Sequence, residues 1–184
     1  MQYRPGGSIL NSVNELDNLW SEMLAKAAAK AREGNRHGVA DYLDLKASND
    51  LIRSAGLSWL FQALIQHAAT ANRSRPPIDM ERTEPHSFRF KGANIVGASL
   101  SFRYGVRCLT VEAGWTRTPA DGFIRGGSLA IARLKHFGLP KANADLGLTM
   151  GEDSPVWRLL IEEKHGKAID SDYLLSHVNL LAQA

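Results

Sequence analysis

Between Val96 and Trp115 apolar and polar residues alternate through two successive runs, and no other stretch constrains the fold as tightly. Val96, Ala98, Leu100, Phe102 and Tyr104 alternate with Gly97, Ser99, Ser101 and Arg103. Leu109, Val111, Ala113 and Trp115 alternate with Cys108, Thr110, Glu112 and Gly114. A period of two sends successive side chains to opposite faces of a pleated strand. A two-residue turn at Tyr104-Gly105 sets Arg103 opposite Val106. Leu100 then faces Leu109, Ala98 faces Val111, and Val96 faces Ala113, so apolar meets apolar throughout. A slip of one residue would carry Leu100 to the wrong face. The pattern predicts an antiparallel hairpin whose other face carries Gly97, Ser99, Ser101, Cys108, Thr110 and Glu112.

Upstream the period changes. Ile9, Val13, Leu16, Trp20, Met23 and Ala27 are spaced four and three apart, which describes one face of a helix over 9–33. Ser12 and Glu15 have the capping-box spacing, and Gly34 stands at the terminator position. A second helical stretch runs from about Val39 to Thr70, with a new N-cap offered at Ser48, and Ile52, Ala55, Trp59, Ala63 and Leu64 mark its buried face. Residues 1–72 therefore read as a helical hairpin. Residues 73–85 read as a linker or long loop, since three prolines fall between Asn72 and Pro85.

Residues 86–184 read as sheet with two helices, forming one folding unit with the helical region. Ser87–Lys91 is a short strand, and Ala144–Met150 and Val156–Glu163 are strands around a Gly-Glu-Asp-Ser turn. Ser128–Phe137 suits a strand or a helix, and its punctuation predicts a short helix. Ser128 suits an N-cap, Arg133, Lys135 and His136 suit a last turn, and Gly138 and Pro140 follow. A His-Gly-Lys turn at 165–167 leads to a final helix capped by Asp170, with Leu174, Val178 and Leu181 buried. The expected class is α+β: a helical hairpin packed on a mainly antiparallel sheet of about five to six strands, with a short inserted helix and a C-terminal helix.

A chain of 184 residues buries enough surface to need no covalent staple, and its one cysteine, Cys108, can form no internal disulfide. No run of 18 apolar residues is present, and Met1–Ser8 lacks the apolar core of a signal peptide. A cytoplasmic protein without membrane contact is the expectation.

The formal charge of +3 is unevenly distributed. Residues 1–70 are net zero, 71–141 are net +7, and 142–184 are net −4. The central excess is mostly arginine: Arg73, Arg75, Arg82, Arg89, Arg103, Arg107, Arg117, Arg125 and Arg133. A guanidinium donates two parallel hydrogen bonds to phosphate. Phe88, Phe90, Phe102, Tyr104 and Trp115 interleave with these arginines, as in sheets that hold single-stranded nucleic acid. Arg117 and Arg125 flank a loop, and Gly126, Gly127 and Ser128 would open the predicted helix, whose unpaired N–H groups suit an anion. Arg103, Arg107, Arg117, Arg125, Gly126, Gly127 and Ser128 are thus the candidate ligand contacts. The plainer reading is a solvated basic strand face neutralised by the acidic C-terminal third, with Gly-Gly-Ser as a flexible cap.

Catalytic patterns are sparse. The six histidines show no metal-ligand spacing, and no GxSxG, GxGxxG or Walker motif occurs. His67 and His177 read as structural histidines beside apolar stripes, and Cys108 as a packing residue. Glu112 is the one candidate acid, among small neighbours that leave a concavity, with Asp121, Glu84 and His86 as groups that could join it. The leading expectation is a non-catalytic binding protein for a phosphate-bearing ligand, nucleic acid included, with no cofactor and no bound metal. The alternatives are a metal-dependent phosphodiesterase or nuclease using Glu112, and a subunit that docks a protein partner through the helical hairpin.

Overall fold

The computed structural model describes residues 9–73 and 77–182, with side chains for 19–73 and 77–181. The Ser12–Glu15 cap and the stripe residues Ile9, Val13 and Leu16 lie outside the described side chains. Met1–Ser8 lies outside the described residues altogether. The chain divides into a helical unit up to Leu51 and a second unit from Ile52 onward.

In the helical unit, α1 (Ile9–Glu33) is followed by the start of α2 (His37–Ala71). Asn35, at φ 53°, takes the left-handed position that ends α1, one residue after the glycine expected there. Leu24, Ala28 and Ala31 are buried beside Ala40. Arg32 pairs with Asp44, and Lys46 Nζ lies 5.7 Å over the Trp20 ring. The two helices therefore run antiparallel. The expected break at Ser48 is absent: α2 is continuous, because the serine, asparagine and aspartate of Ser48–Asp50 lower helix propensity without removing a backbone donor as proline would.

The second unit holds the rest of α2, seven strands and α3 (Ser171–Ala182). The strands are β1 (Asp79–Phe90), β2 (Ala93–Tyr104), β3 (Arg107–Trp115), β4 (Ala130–His136), β5 (Ala144–Met150), β6 (Pro155–Ile161) and β7 (Lys164–Ala168). They form one antiparallel sheet in sequence order. The α+β class holds, with seven strands in place of five or six. No helix is long and apolar enough to cross a membrane, among the described residues.

Leu57, Leu60, Phe61, Leu64 and Ala68 of α2 join Leu174, Val178 and Leu181 of α3 in the core. They cover the sheet face formed by Leu100, Phe102, Leu109, Val111, Leu134, Leu146, Leu148 and Trp157. On α2 the buried face is rotated from the expected one, leaving Trp59 43 % exposed. Asp170 Oδ1 accepts from Tyr173 N at 2.9 Å and caps α3 as predicted. His67 Nε2 lies 2.8 Å from Ser171 Oγ, the structural partner expected for it.

The β2–β3 register differs from the expected one by two residues: Leu100 pairs with Val111, Phe102 with Leu109, Ala98 with Ala113 and Tyr104 with Arg107. The turn is Gly105-Val106, because the first central position needs φ > 0 and Gly105, at 58°, supplies it where Tyr104 could not without strain. A shift of two keeps every side chain on its face, so the predicted core face survives.

Three other expectations are corrected. Most of the supposed linker is β1, which begins at Asp79 and shifts register between Thr83 and His86 around Pro85. Proline lacks an N–H, and β1 is an edge strand where that is tolerated. His165–Lys167 lies within β7, and the β6–β7 turn falls on Glu162 and Glu163, at φ 49° and 70°. The predicted helix at 128–137 is the central strand β4, paired on both sides, with Ala113 opposite Ala132 and Ala130 opposite Leu148. Cap-like residues bracket it, but burying Ala130, Ala132 and Leu134 between two strands outweighs them.

Candidate functional site

The sheet face turned away from the helices carries the polar residues of the alternating strands. At one end it curls over itself. Phe88, Phe90, Ala93, Ile95 and Ile131 form a second apolar cluster with Leu160 packed on it, and Lys91 Nζ lies 4.0 Å from the Glu163 carboxylate. The turns β1–β2 and β6–β7 are thereby drawn together across a concave face.

Beside that cluster sits Glu112, 8 % exposed. His86 Nε2 lies 2.9 Å from Glu112 Oε1, and Lys135 Nζ lies 2.7 Å from Oε2. His86 belongs to β1 and Glu112 to β3, so their contact crosses the intervening strand where β2 carries only Gly97 and Ser99. Lys135 reaches Glu112 from β4 along the pleat. Burial pushes the Glu112 carboxyl up, but hydrogen bonds and charge from Lys135 and His86 more than offset it and hold it below the usual range. A carboxylate so stabilised is a poor proton acceptor at neutral pH.

Next to Lys135 on the same face is Arg133. Its Nε donates to Asp145 Oδ1 at 2.9 Å, its Nη1 donates to the Arg89 carbonyl at 3.4 Å, and its guanidinium lies 5.0 Å from the Phe90 ring centre. Arg133 and Lys135 border a cavity of about 690 Å³ that is also lined by Asn143, Asp145, Leu159, Leu160, Ile161 and Tyr173. A second cavity, of about 390 Å³, is apolar and lies between Trp59, Pro155, Val156, Trp157 and Ile169.

The sequence-predicted contacts do not come together. Arg103 and Arg107 flank the β2–β3 turn, where Arg107 Nη1 donates to the Leu180 carbonyl at 3.0 Å. Arg117 follows β3 at the opposite end of the ladder, about 27 Å away at roughly 3.4 Å per residue, with its guanidinium 3.8 Å from the Trp115 ring centre. Arg125 is exposed nearer that second end. No α-helix opens at Ser128, so the helix-terminus argument for an anion there lapses. Gly126 and Gly127 are positive-φ residues of a three-residue turn, and a Cβ on Gly126 would lie 2.5 Å from the Glu163 carbonyl. Ser128 is buried with its Oγ 2.8 Å from His165 Nε2.

Of the groups expected to join Glu112, only His86 does. Glu84 pairs with Arg82. Asp121 accepts from Asn94 Nδ2 and from the backbone of Arg117 and Thr118, and these bonds hold it below the usual carboxylate range. Among the described residues no group of three His, Cys, Asp or Glu side chains is placed to hold a metal ion. Lys135 and Arg133 do not emerge from the sequence as a site because the punctuation of 128–137 reads as a helix; their strand spacing, i and i+2 with Ile131, is the available signal.

No protein-family model matches the chain, and no curated protein or solved structure matches it either.

Proposed function

We propose that the chain is a non-catalytic binding protein for a phosphate-bearing anionic ligand, seated where Arg133 and Lys135 border the concave sheet face. One observation carries the reading: two cations two residues apart on one strand share a cavity of about 690 Å³ with an apolar wall. Each has donors to spare. A guanidinium has five N–H groups and Arg133 gives one to Asp145 and one to Arg89; an ammonium has three and Lys135 directs one at Glu112. Asp145 and Glu112 fix the two cations in place, which limits the side-chain entropy lost when a ligand binds. Leu159, Leu160 and Ile161 would pack against an apolar part of the ligand, such as a base or an acyl group.

Titration with inorganic pyrophosphate and with a fluorescent single-stranded oligonucleotide tests this. Binding is expected to weaken at least tenfold in Arg133→Gln and Lys135→Gln, and to fall as salt rises. It is expected to be unchanged in an Arg117→Ala, Arg125→Ala double variant. Binding that survives both β4 substitutions, or its absence with every phosphate probe in the folded wild type, overturns the proposal.

A further inference from the structure

Among the described residues, Trp20, Met23 and Ala27 of the apolar stripe on α1 are left uncovered by the helical unit. Leu24, Ala28 and Ala31 of α1 are buried, whereas Leu19 is 55 %, Trp20 44 % and Met23 54 % exposed. The apolar arc of α1 is therefore wider than the hairpin covers. On α2, Val39 and Tyr42 are 48 % and 62 % exposed and share a helix side with Lys46. Lys46 lies over the Trp20 ring, which puts that side of α2 and the Trp20 side of α1 on one face of the hairpin.

The stripe keeps to one side of α1. From Ile9 to Ala27 its members are spaced four, three, four, three and four, an average of 3.6 residues, so they follow one line along about 27 Å of helix at 1.5 Å per residue. The charges along α1 are also segregated: Glu15, Asp17 and Glu22 precede Trp20–Met23 or lie within it, and Lys26, Lys30 and Arg32 follow, with Glu33 the one acid after them.

We propose that this face binds a second copy of the chain, α1 against α1 in antiparallel sense about a two-fold axis near Trp20–Met23. In that arrangement Trp20 meets the other copy's Met23. The acidic half of each helix lies along the basic half of the other. The parallel alternative sets like charges side by side. A two-fold contact uses one patch twice, so a single self-complementary helix is enough to build it.

Sedimentation equilibrium of the full chain tests the proposal, with circular dichroism to confirm that each variant keeps its helix content. The wild type is expected to dimerise at micromolar concentration, and Trp20→Glu with Met23→Glu to be monomeric at least a hundredfold higher. Lys26→Glu with Lys30→Glu leaves Arg32 as the one cation of α1, and Glu15→Lys with Asp17→Lys leaves Glu22 and Glu33 as its only acids. Each charge variant is expected to be monomeric alone, and the two are expected to form a one-to-one dimer when mixed. A wild type that stays monomeric at 100-fold above micromolar overturns the proposal, as do charge variants that dimerise alone as tightly as the wild type.

Discussion

Two histidines meet in the core between β4 and α3, and their arrangement predicts acid lability of a defined size. His136 Nε2 lies 2.8 Å from His177 Nδ1, with both residues buried, and the Tyr173 ring meets His177 edge-on at 4.8 Å. One proton serves this contact, and a second would bury a charge. Burial, with some help from His136, pushes His177 down to about 4, and burial lowers His136 as well. The folded pKa thus lies below the unfolded value of 6.5, so as pH falls the unfolded chain takes up the proton first. The stability from the neutral pair is complete above 6.5, declines through the interval below it, and is gone below about 4. At about 1.4 kcal/mol per pH unit, His177 alone removes about 2 kcal/mol between pH 6.5 and 5, a large share of the roughly 5–15 kcal/mol that holds a domain together. Urea unfolding of wild type and His177→Phe at pH 7 and pH 5 isolates this group, since titrations common to both chains cancel. The variant leaves His136 Nε2 without its partner and loses about 1–3 kcal/mol at pH 7. That gap is expected to narrow by about 2 kcal/mol at pH 5. A gap of constant width refutes the reasoning.

Two further outcomes follow from the sheet's polar face. Lys135→Met removes the largest influence that lowers Glu112, so its carboxyl, observed by carbon-13 NMR titration, is expected to rise from its lowered position. The wild type loses the Glu112 contribution as pH falls below 4.5, and the variant, about 1–2 kcal/mol weaker at pH 7, is expected to lose less over the same interval in urea unfolding. Gly147→Ala would set a Cβ 2.4 Å from Ser128 Oγ and 3.2 Å from His165 Nε2, and is expected to lower stability by about 1–3 kcal/mol in thermal unfolding. An unchanged melting temperature would mean that the Ser128–His165 contact yields without loss.

Helix and strand were legible wherever period and burial agreed. The β2–β3 hairpin shows how far that goes: alternation identified its faces correctly, while the turn was placed one residue early because Tyr104-Gly105 and Gly105-Val106 give the same face assignment. Only the left-handed backbone at Gly105 separates them. β4 marks the other limit. Ser128, Gly138 and Pro140 punctuate it as a helix, and Ala130 with Leu134 satisfies both periods, so the decision rests on Ala132 and on neighbouring strands that no local window contains. α1 shows a third limit: its stripe identifies one face of the helix, and Trp20 and Met23 on that face are exposed. Periodicity marks a face that favours burial but is silent on which molecule covers it.

The candidate site was obscured for a related reason. Net charge by segment sums arginines whose side chains have separate local partners: Arg82 pairs with Glu84, Arg107 caps the end of α3 and Arg117 covers Trp115. The Arg82 and Arg107 contacts use donors that a phosphate would need, and the β2–β3 ladder holds the two ends of the arginine series far apart. What concentrates charge is strand pairing. Setting β3 beside β4 brings Glu112 and Lys135 together, and setting β4 beside β5 brings Arg133 to Asp145. The acids that look neutralising in a charge count are therefore what hold the two cations at one cavity. A lysine or arginine fixed by a carboxylate on one side still offers donors on the other. The same +7 segment with those acids removed would carry more charge and present less of a site.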